Sequence, residues 1–333
     1  MQQLTISGSP HIHGEESVKK IMYSVVYALI PAVLISIYFF GWDAARVLLT
    51  SVIACLFFEW VIQKYLIKGS LTINDGSAVV AGILLAFNVP ANLPVPIIII
   101  GALVTIGIAK MSFGGLGKNP FNPALVGRVF LLISFPAQMT TWPVPRPLFA
   151  KAVTDAITGP TPLGLVKESL DAGKRLPEIM ADPSMPDYID RLTGNMAGSL
   201  GEMSYIALIL GGLYLIIKKV IDWQLPVSII LTVFVFAAIF HWIDPMYYVE
   251  PSFHLFSGGL MLGAIFMATD MVTSPMNMWG RILYGIAIGL LTIIIRIWGA
   301  YPEGISFAIL IMNAFTPLIN RGFKPRRFGK IVN

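Results

Sequence analysis

The chain has 333 residues, of which 56% are hydrophobic and 12% charged, with a mean hydropathy of +0.76 and a formal net charge of +5. That composition is too apolar for a soluble globular protein and marks an all-α polytopic membrane protein. Its basic residues gather at the ends of apolar runs, which argues against a nucleic-acid-binding face, and its lone Cys55 cannot supply the roughly four thiolates of an iron–sulfur cluster.

Residues 1–20 form a polar arm, so the first apolar run starts too late for a cleavable signal peptide and is expected to stay in the protein. His11 and His13 lie in this arm, but one i,i+2 pair without further clustered ligands does not make a metal site. Apolar runs then fall near 21–40, 47–65, 77–91, 95–111 and 122–136, the last being the shortest; together they make a first five-helix half, 21–136. Glu59 lies close to the middle of the second run, where a carboxylate is expensive unless it faces protein or water. It is a candidate for an ion route, or else it pairs structurally with a lysine or arginine or stays protonated. Asp75 precedes the third run and is followed by Gly76 and Ser77, the pattern of a helix N-terminus rather than of catalysis.

The third run ends in Gly82-Ile-Leu-Leu-Ala-Phe-Asn-Val-Pro-Ala-Asn-Leu-Pro94, and its prolines predict a helix broken near its end. Between the fourth and fifth runs, Gly114, Gly115 and Gly117 are followed by Asn119-Pro-Phe-Asn-Pro-Ala124 and then Arg128. This stretch reads either as a re-entrant turn under a planar or anionic group, with Arg128 pairing to it, or as an ordinary turn.

A long polar loop, 137–202, separates the halves. Within it Asp155-Ala-Ile-Thr-Gly-Pro-Thr-Pro-Leu163 concentrates hydroxyls, Gly159 and two prolines, and Thr161, preceding Pro162, is held to extended geometry. No neighbouring His or Cys activates these hydroxyls, so residue chemistry alone reads the stretch as a surface turn.

The second half, 203–319, has runs near 203–218, 226–242, 254–270, 281–298 and 304–319, before a basic tail, 320–333. The third of these ends in Gly263-Ala-Ile-Phe-Met-Ala-Thr-Asp-Met-Val-Thr-Ser-Pro275, a weak counterpart of Gly82–Pro94 in the corresponding position, and Asp270 carries the same two readings as Glu59. About ten spans in two five-helix halves of opposite orientation are therefore expected, an inverted repeat. With both termini cytoplasmic, the inner connections hold Lys19, Lys20, Lys64, Lys68, Lys110, Lys118, Arg128, Lys218, Lys219, Arg281 and the tail, against only Arg46 and Arg296 in the short outer ones. The long loop is then extracytoplasmic. The tryptophans, Trp142 among them, mostly mark span ends, as interfacial rings do.

Asp155-x-x-Thr158-Gly159-x-Thr161 resembles the flavinylation motif of the Nqr B/Rnf D family of membrane proteins, and Ser9-Pro-His11, Asn74-Asp-Gly-Ser77, Asn119–Ala124 and the basic tail extend the resemblance over essentially the whole chain. The compact length and the Thr-Gly-x-Thr-Pro-Leu form look more like the Rnf D branch, from the ion-translocating oxidoreductase (Rnf) complex, than the Nqr B branch, from the Na+-translocating NADH:quinone reductase. The resemblance implies FMN esterified through its phosphate to Thr161 by a dedicated flavin transferase, with Asp155, Thr158 and Gly159 completing the motif. Pro160 departs from the usual alanine and stiffens the turn that the transferase reads. It further implies electron transfer between ferredoxin and NAD coupled to Na+ or H+ movement, a second non-covalent flavin such as riboflavin, a bacterial or archaeal cytoplasmic membrane, and partner subunits that include an FMN-bearing extracytoplasmic one and iron–sulfur ones. Inverted halves with broken helices would also suit a solute transporter or channel, and a scaffold whose loop docks a partner is a third reading.

Overall fold

The structure is a computed structural model that describes residues 17–69, 71–146 and 158–324. His11, His13, Asp155 and most of the basic tail lie outside the described residues. Mostly helical, the chain has five helices long and apolar enough to cross a membrane among the described residues: Val18–Ile67, Val95–Phe113, Gln224–Ile243, Met278–Trp298 and Ile305–Gly322. Shorter apolar helices cover Ser77–Phe87, Pro123–Ser134 and Tyr205–Ile217.

Helix α1 (Val18–Val61), continued by a π-helical stretch Ile62–Ile67, contains the first two expected spans. Were it straight, Tyr23 and Glu59 would lie about 54 Å apart. Instead the Tyr23 ring packs against Gly76, 3.2 Å from where a Cβ would stand, while Glu59 is joined through Lys110 to Ser77. The two ends of α1 therefore meet at one level, and the chain reverses at Gly41, whose φ of 58° and ψ of −133° suit only glycine.

From that level α2 (Ser77–Phe87) starts, with Asp75 Oδ1 accepting from Ser77 N at 2.7 Å, the helix-start role expected of it. α2 has 11 residues and rises about 16 Å, too little to cross a hydrocarbon core of about 30 Å. It stops at Asn88, as the prolines predict. α3 (Val95–Leu103) runs on through a π-helical stretch to Lys110, and α4 (Pro123–Ser134) is capped by Asn122.

The loop between the halves pairs β1 (Trp142–Pro143) with β2 (Thr158–Gly159), then forms α5 (Pro162–Asp171). After it come α6 (Tyr205–Ile217), α7 (Gln224–Ile243), the fragment α8 (Leu260–Leu262) with its π-turn Gly263–Met267, α9 (Met278–Trp298) and α10 (Ile305–Gly322). α2 and α8 run oppositely. Phe87 and Leu262 both press on Gly201, whereas Ser77 and Asp270 line one cavity. Their non-helical continuations are buried in protein, where irregular backbone is tolerated at membrane depth.

The bundle thus has a loop end, where Gly41, Leu200 and α5 lie, and a basic end, where Lys110, Lys219 and Arg281 lie. Exposed apolar side chains such as Leu34, Ile53 and Leu231 cover its flanks, and exposed Trp42, Trp223, Trp242, Trp279 and Trp298 sit at helix ends, as an interfacial belt requires.

Candidate functional site

Thr161 is the N-cap of α5. Its φ of −67° and ψ of 155° are the extended geometry that Pro162 imposes, its Oγ1 accepts from Gly164 N at 3.1 Å, and proline occupies the first helical turn, where a missing N–H costs nothing. A small apolar core holds the helix in place: Leu163, Leu165 and Val166 pack with Leu176, Ile179, Val249 and Phe253. Gly159 pairs with Trp142 and Thr158 with Pro143, so the two-stranded ladder brings Trp142 beside the motif. Thr158 is exposed and Thr161 is buried.

Three features bear on whether a phosphoester fits here. The cap uses Oγ1 as an acceptor, not as a donor, so replacing the hydroxyl proton leaves the cap possible. A phosphate at this position would meet the amide-rich, positive end of a ten-residue helix. Any side chain at residue 164 would crowd Oγ1, since a Cβ there would stand 3.1 Å from it. The residues present fit the group.

At the basic end, Glu59 is fully buried and its Oε2 accepts from Lys110 Nζ at 2.7 Å, while Gln63 Nε2 donates to Oε1 at 3.1 Å. Lys110 Nζ also donates to Ser77 Oγ at 2.6 Å. Glu59 therefore has a buried counter-charge, Lys110. Lys110 and Ser77 line a cavity of about 100 Å³ whose wall is otherwise mostly apolar, and Asp270 lines the same cavity. Asp270 accepts from Val272 N and Thr273 Oγ1, both at 3.3 Å. Sequence reasoning placed Glu59 and Asp270 separately; the fold brings Asp270 to the cavity touched by the lysine that neutralises Glu59.

Arg128 is not where the sequence reading put it. Rather than serving a turn at the basic end, its guanidinium is buried and donates to Glu303 and Ser306 near the loop end. The reason is that α4 begins deep in the bundle, where Asn122 Nδ2 donates to Met267 O at 3.1 Å, so a residue six positions later lies about 9 Å further on. Glu303 also accepts from Gly259 N at 2.6 Å. Beside it, Arg296 donates to His254 O at 2.5 Å and to Ser257 O at 2.9 Å, and Ser199 Oγ donates to Glu202 Oε1 at 2.6 Å. Burial pushes Glu303 up, but the Arg128 guanidinium outweighs it and holds the carboxyl at about 2. Burial, and then the Glu303 charge, push Glu202 well above the usual carboxylate range. Neither glutamate was singled out in the sequence.

A sequence pattern described as the NQR2, RnfD, RnfE family matches residues 5–329 of this chain. The chain belongs to that family. Similar members include the D subunit of the proton-translocating ferredoxin:NAD(+) oxidoreductase complex of Clostridium ljungdahlii, 45% identical over 325 residues, 98% of this chain and 96% of that one. The D subunit of the Na(+)-translocating ferredoxin:NAD(+) oxidoreductase complex of Acetobacterium woodii is 45% identical over 329 residues, 98% and 95% of the two chains. The D subunit of the ion-translocating oxidoreductase complex of Stutzerimonas stutzeri is 39% identical over 332 residues, 94% and 93%. Two family members equally similar to this chain carry names with different ions, so identity does not choose between them.

Proposed function

We propose that this chain is the flavin-carrying membrane component, the D subunit, of an Rnf-type, ion-translocating ferredoxin:NAD oxidoreductase complex, with FMN joined through its phosphate to Thr161. The observation that carries this reading is Thr161 itself: within a chain that matches the family almost end to end, it stands as an N-cap whose oxygen is spent only as an acceptor. When bound, the flavin supplies the one- and two-electron chemistry that no side chain provides. The protein's share is positional. The Thr161 oxygen would anchor the group and the N-terminal amides of α5 would hold its phosphate, while β1 keeps Trp142 beside the motif.

The same proposal gives the chain ten spans in two inverted halves in a bacterial or archaeal cytoplasmic membrane, both termini inside and the Thr161 loop outside. The reversal at Gly41 and the opposed α2 and α8 support it, since five passages then precede the loop and five follow. Partners are the other subunits of the complex, including an FMN-bearing extracytoplasmic one and iron–sulfur ones, and a flavin transferase that matures Thr161. Coupled movement of Na+ or H+ would use Asp270 and the Glu59–Lys110 pair at the cavity. A second, non-covalent flavin such as riboflavin belongs to the proposal without being assigned to residues.

The test is flavin fluorescence in a denaturing gel. The chain made together with its transferase is expected to fluoresce, and Thr161→Ala to be dark. A dark parent band under those conditions overturns the site.

A further inference from the structure

At the loop end, four buried polar atoms close to one another have no hydrogen-bond partner among the described residues: Glu202 Oε2, His254 Nδ1, Ser257 Oγ and Arg296 Nε. They come from the stretch before α6, the segment before α8, and α9; of these residues, Glu202 and Arg296 interact with Glu303. Native interiors rarely leave so many groups unsatisfied together, and such groups mark bound water or a missing proton. Glu202 is 1% exposed and Glu303 9%. Glu202 Oε1 is satisfied by Ser199, and the carboxyl lies within hydrogen-bonding reach of Glu303. Glu303 has its own donors, Arg128 and Gly259 N. As an anion, Glu202 would turn a bare oxygen toward a second carboxylate. As an acid, it donates to that carboxylate instead of opposing it.

We propose that Glu202 and Glu303 form a proton-holding pair at the loop end of the bundle, in which Glu202 Oε2 carries a proton and donates it to the Glu303 carboxylate. The raised Glu202 and depressed Glu303 agree with that division. The charged and titratable groups facing the pair are Arg128 from α4, Arg296 from α9 and Tyr205 from α6, whose hydroxyl donates to Gly258 O at 3.1 Å; Arg296 is held there by donating to His254 O. The charge count works in both states. With the proton held, two guanidiniums face one carboxylate and the cluster is one positive charge in excess. When the proton leaves the cluster for bulk water, two guanidiniums face two carboxylates and the cluster is neutral. Both states are electrostatically tolerable, which is what a site that loads and unloads a proton requires. The pair stands apart from the Glu59–Lys110 cavity at the other end, and it does not depend on the flavin reading.

The experiment is infrared spectroscopy of the purified complex, exchanged between water and heavy water, at neutral pH. A carboxylic-acid carbonyl band that shifts on deuteration is expected in the parent. Glu202→Gln should lose it, Glu202→Asp should restore it at a shifted position, and Thr161→Ala should keep it. Glu303→Gln should lose it as well, because Glu202 then ionises to answer Arg128; should that variant fail to assemble, the Glu202 pair of variants decides alone. A band that survives in Glu202→Gln places the proton elsewhere and overturns the proposal. So does a band that appears only when Na+ is replaced by a large organic cation, which would make the site a cation site.

Discussion

Lys110→Met isolates the ion pair at the basic end. The substitution keeps the length of the side chain and its packing but removes the charge 2.7 Å from Glu59 Oε2. Ser77 Oγ loses the bond from Lys110 yet still donates to Asp75 Oδ1 at 2.6 Å, and Gln63 still donates to Glu59 Oε1. The cost therefore falls almost wholly on Glu59, a carboxylate with no exposed surface and no remaining counter-charge. Removing one partner of a buried pair typically costs about 3–5 kcal/mol, on the order of a hundredfold or more in the ratio of folded to unfolded protein. Replacing both partners by neutral groups of similar shape costs far less. Glu59→Gln combined with Lys110→Met should thus melt above Lys110→Met alone, even though it changes more residues. Thermal melting of the purified protein in detergent, run on parent, both single variants and the double, reads this directly. A double variant no more stable than Lys110→Met would refute the argument that the pair is what holds Glu59 in place.

Three further outcomes are expected. Gly82→Ala should destabilise the bundle by about 1–3 kcal/mol, because the new Cβ would stand 2.7 Å from Val52 Cα and α2 would have to move off α1; melting in detergent measures it. Thr161→Ala should cost about 1 kcal/mol through the lost cap and Thr161→Ser nearly nothing, which limited proteolysis across α5 would register as faster cleavage in the first variant only. Stability should also depend on pH through Glu202 and Glu303 with opposite signs. Glu202 is raised, so above the ordinary value of 4.5 the native state keeps a proton that the unfolded chain gives up, and stability falls as pH rises; Glu303 is depressed, so its contribution is present above that value and is lost as pH falls toward about 2. Glu202→Gln should flatten the alkaline side of the melting profile and leave the acid side intact.

What could be read from sequence was what depends on neighbours along the chain. Apolar length set the passages, Pro90 and Pro94 stopped α2, and Pro162 fixed Thr161 in the geometry of an N-cap. What depends on which helices pack together was hidden. Glu59 and Lys110 are 51 positions apart, and Arg128 and Glu303 are 175 apart. A signal did exist for the first pair, since a carboxylate in mid-span needs a cation and Lys110 closes an apolar run. None existed for Arg128, because hydropathy assumes that each run spans the whole membrane, whereas α4 starts partway through the bundle. Glu202 and Glu303 sit at the edges of the long loop and of a short connection, where acidic residues ordinarily face water; only the fold covers them.

α2 turns its carbonyl-rich terminus toward the loop end, and the π-turn that completes α8 turns its own toward the basic end. Both termini end inside the protein, where side-chain amides meet their freed carbonyls: Asn88 Nδ2 donates to Leu84 O at 2.6 Å and Asn122 Nδ2 to Met267 O at 3.1 Å. Each half is thus closed at depth by one asparagine, and loss of either amide would leave a carbonyl unpaired where water does not reach it.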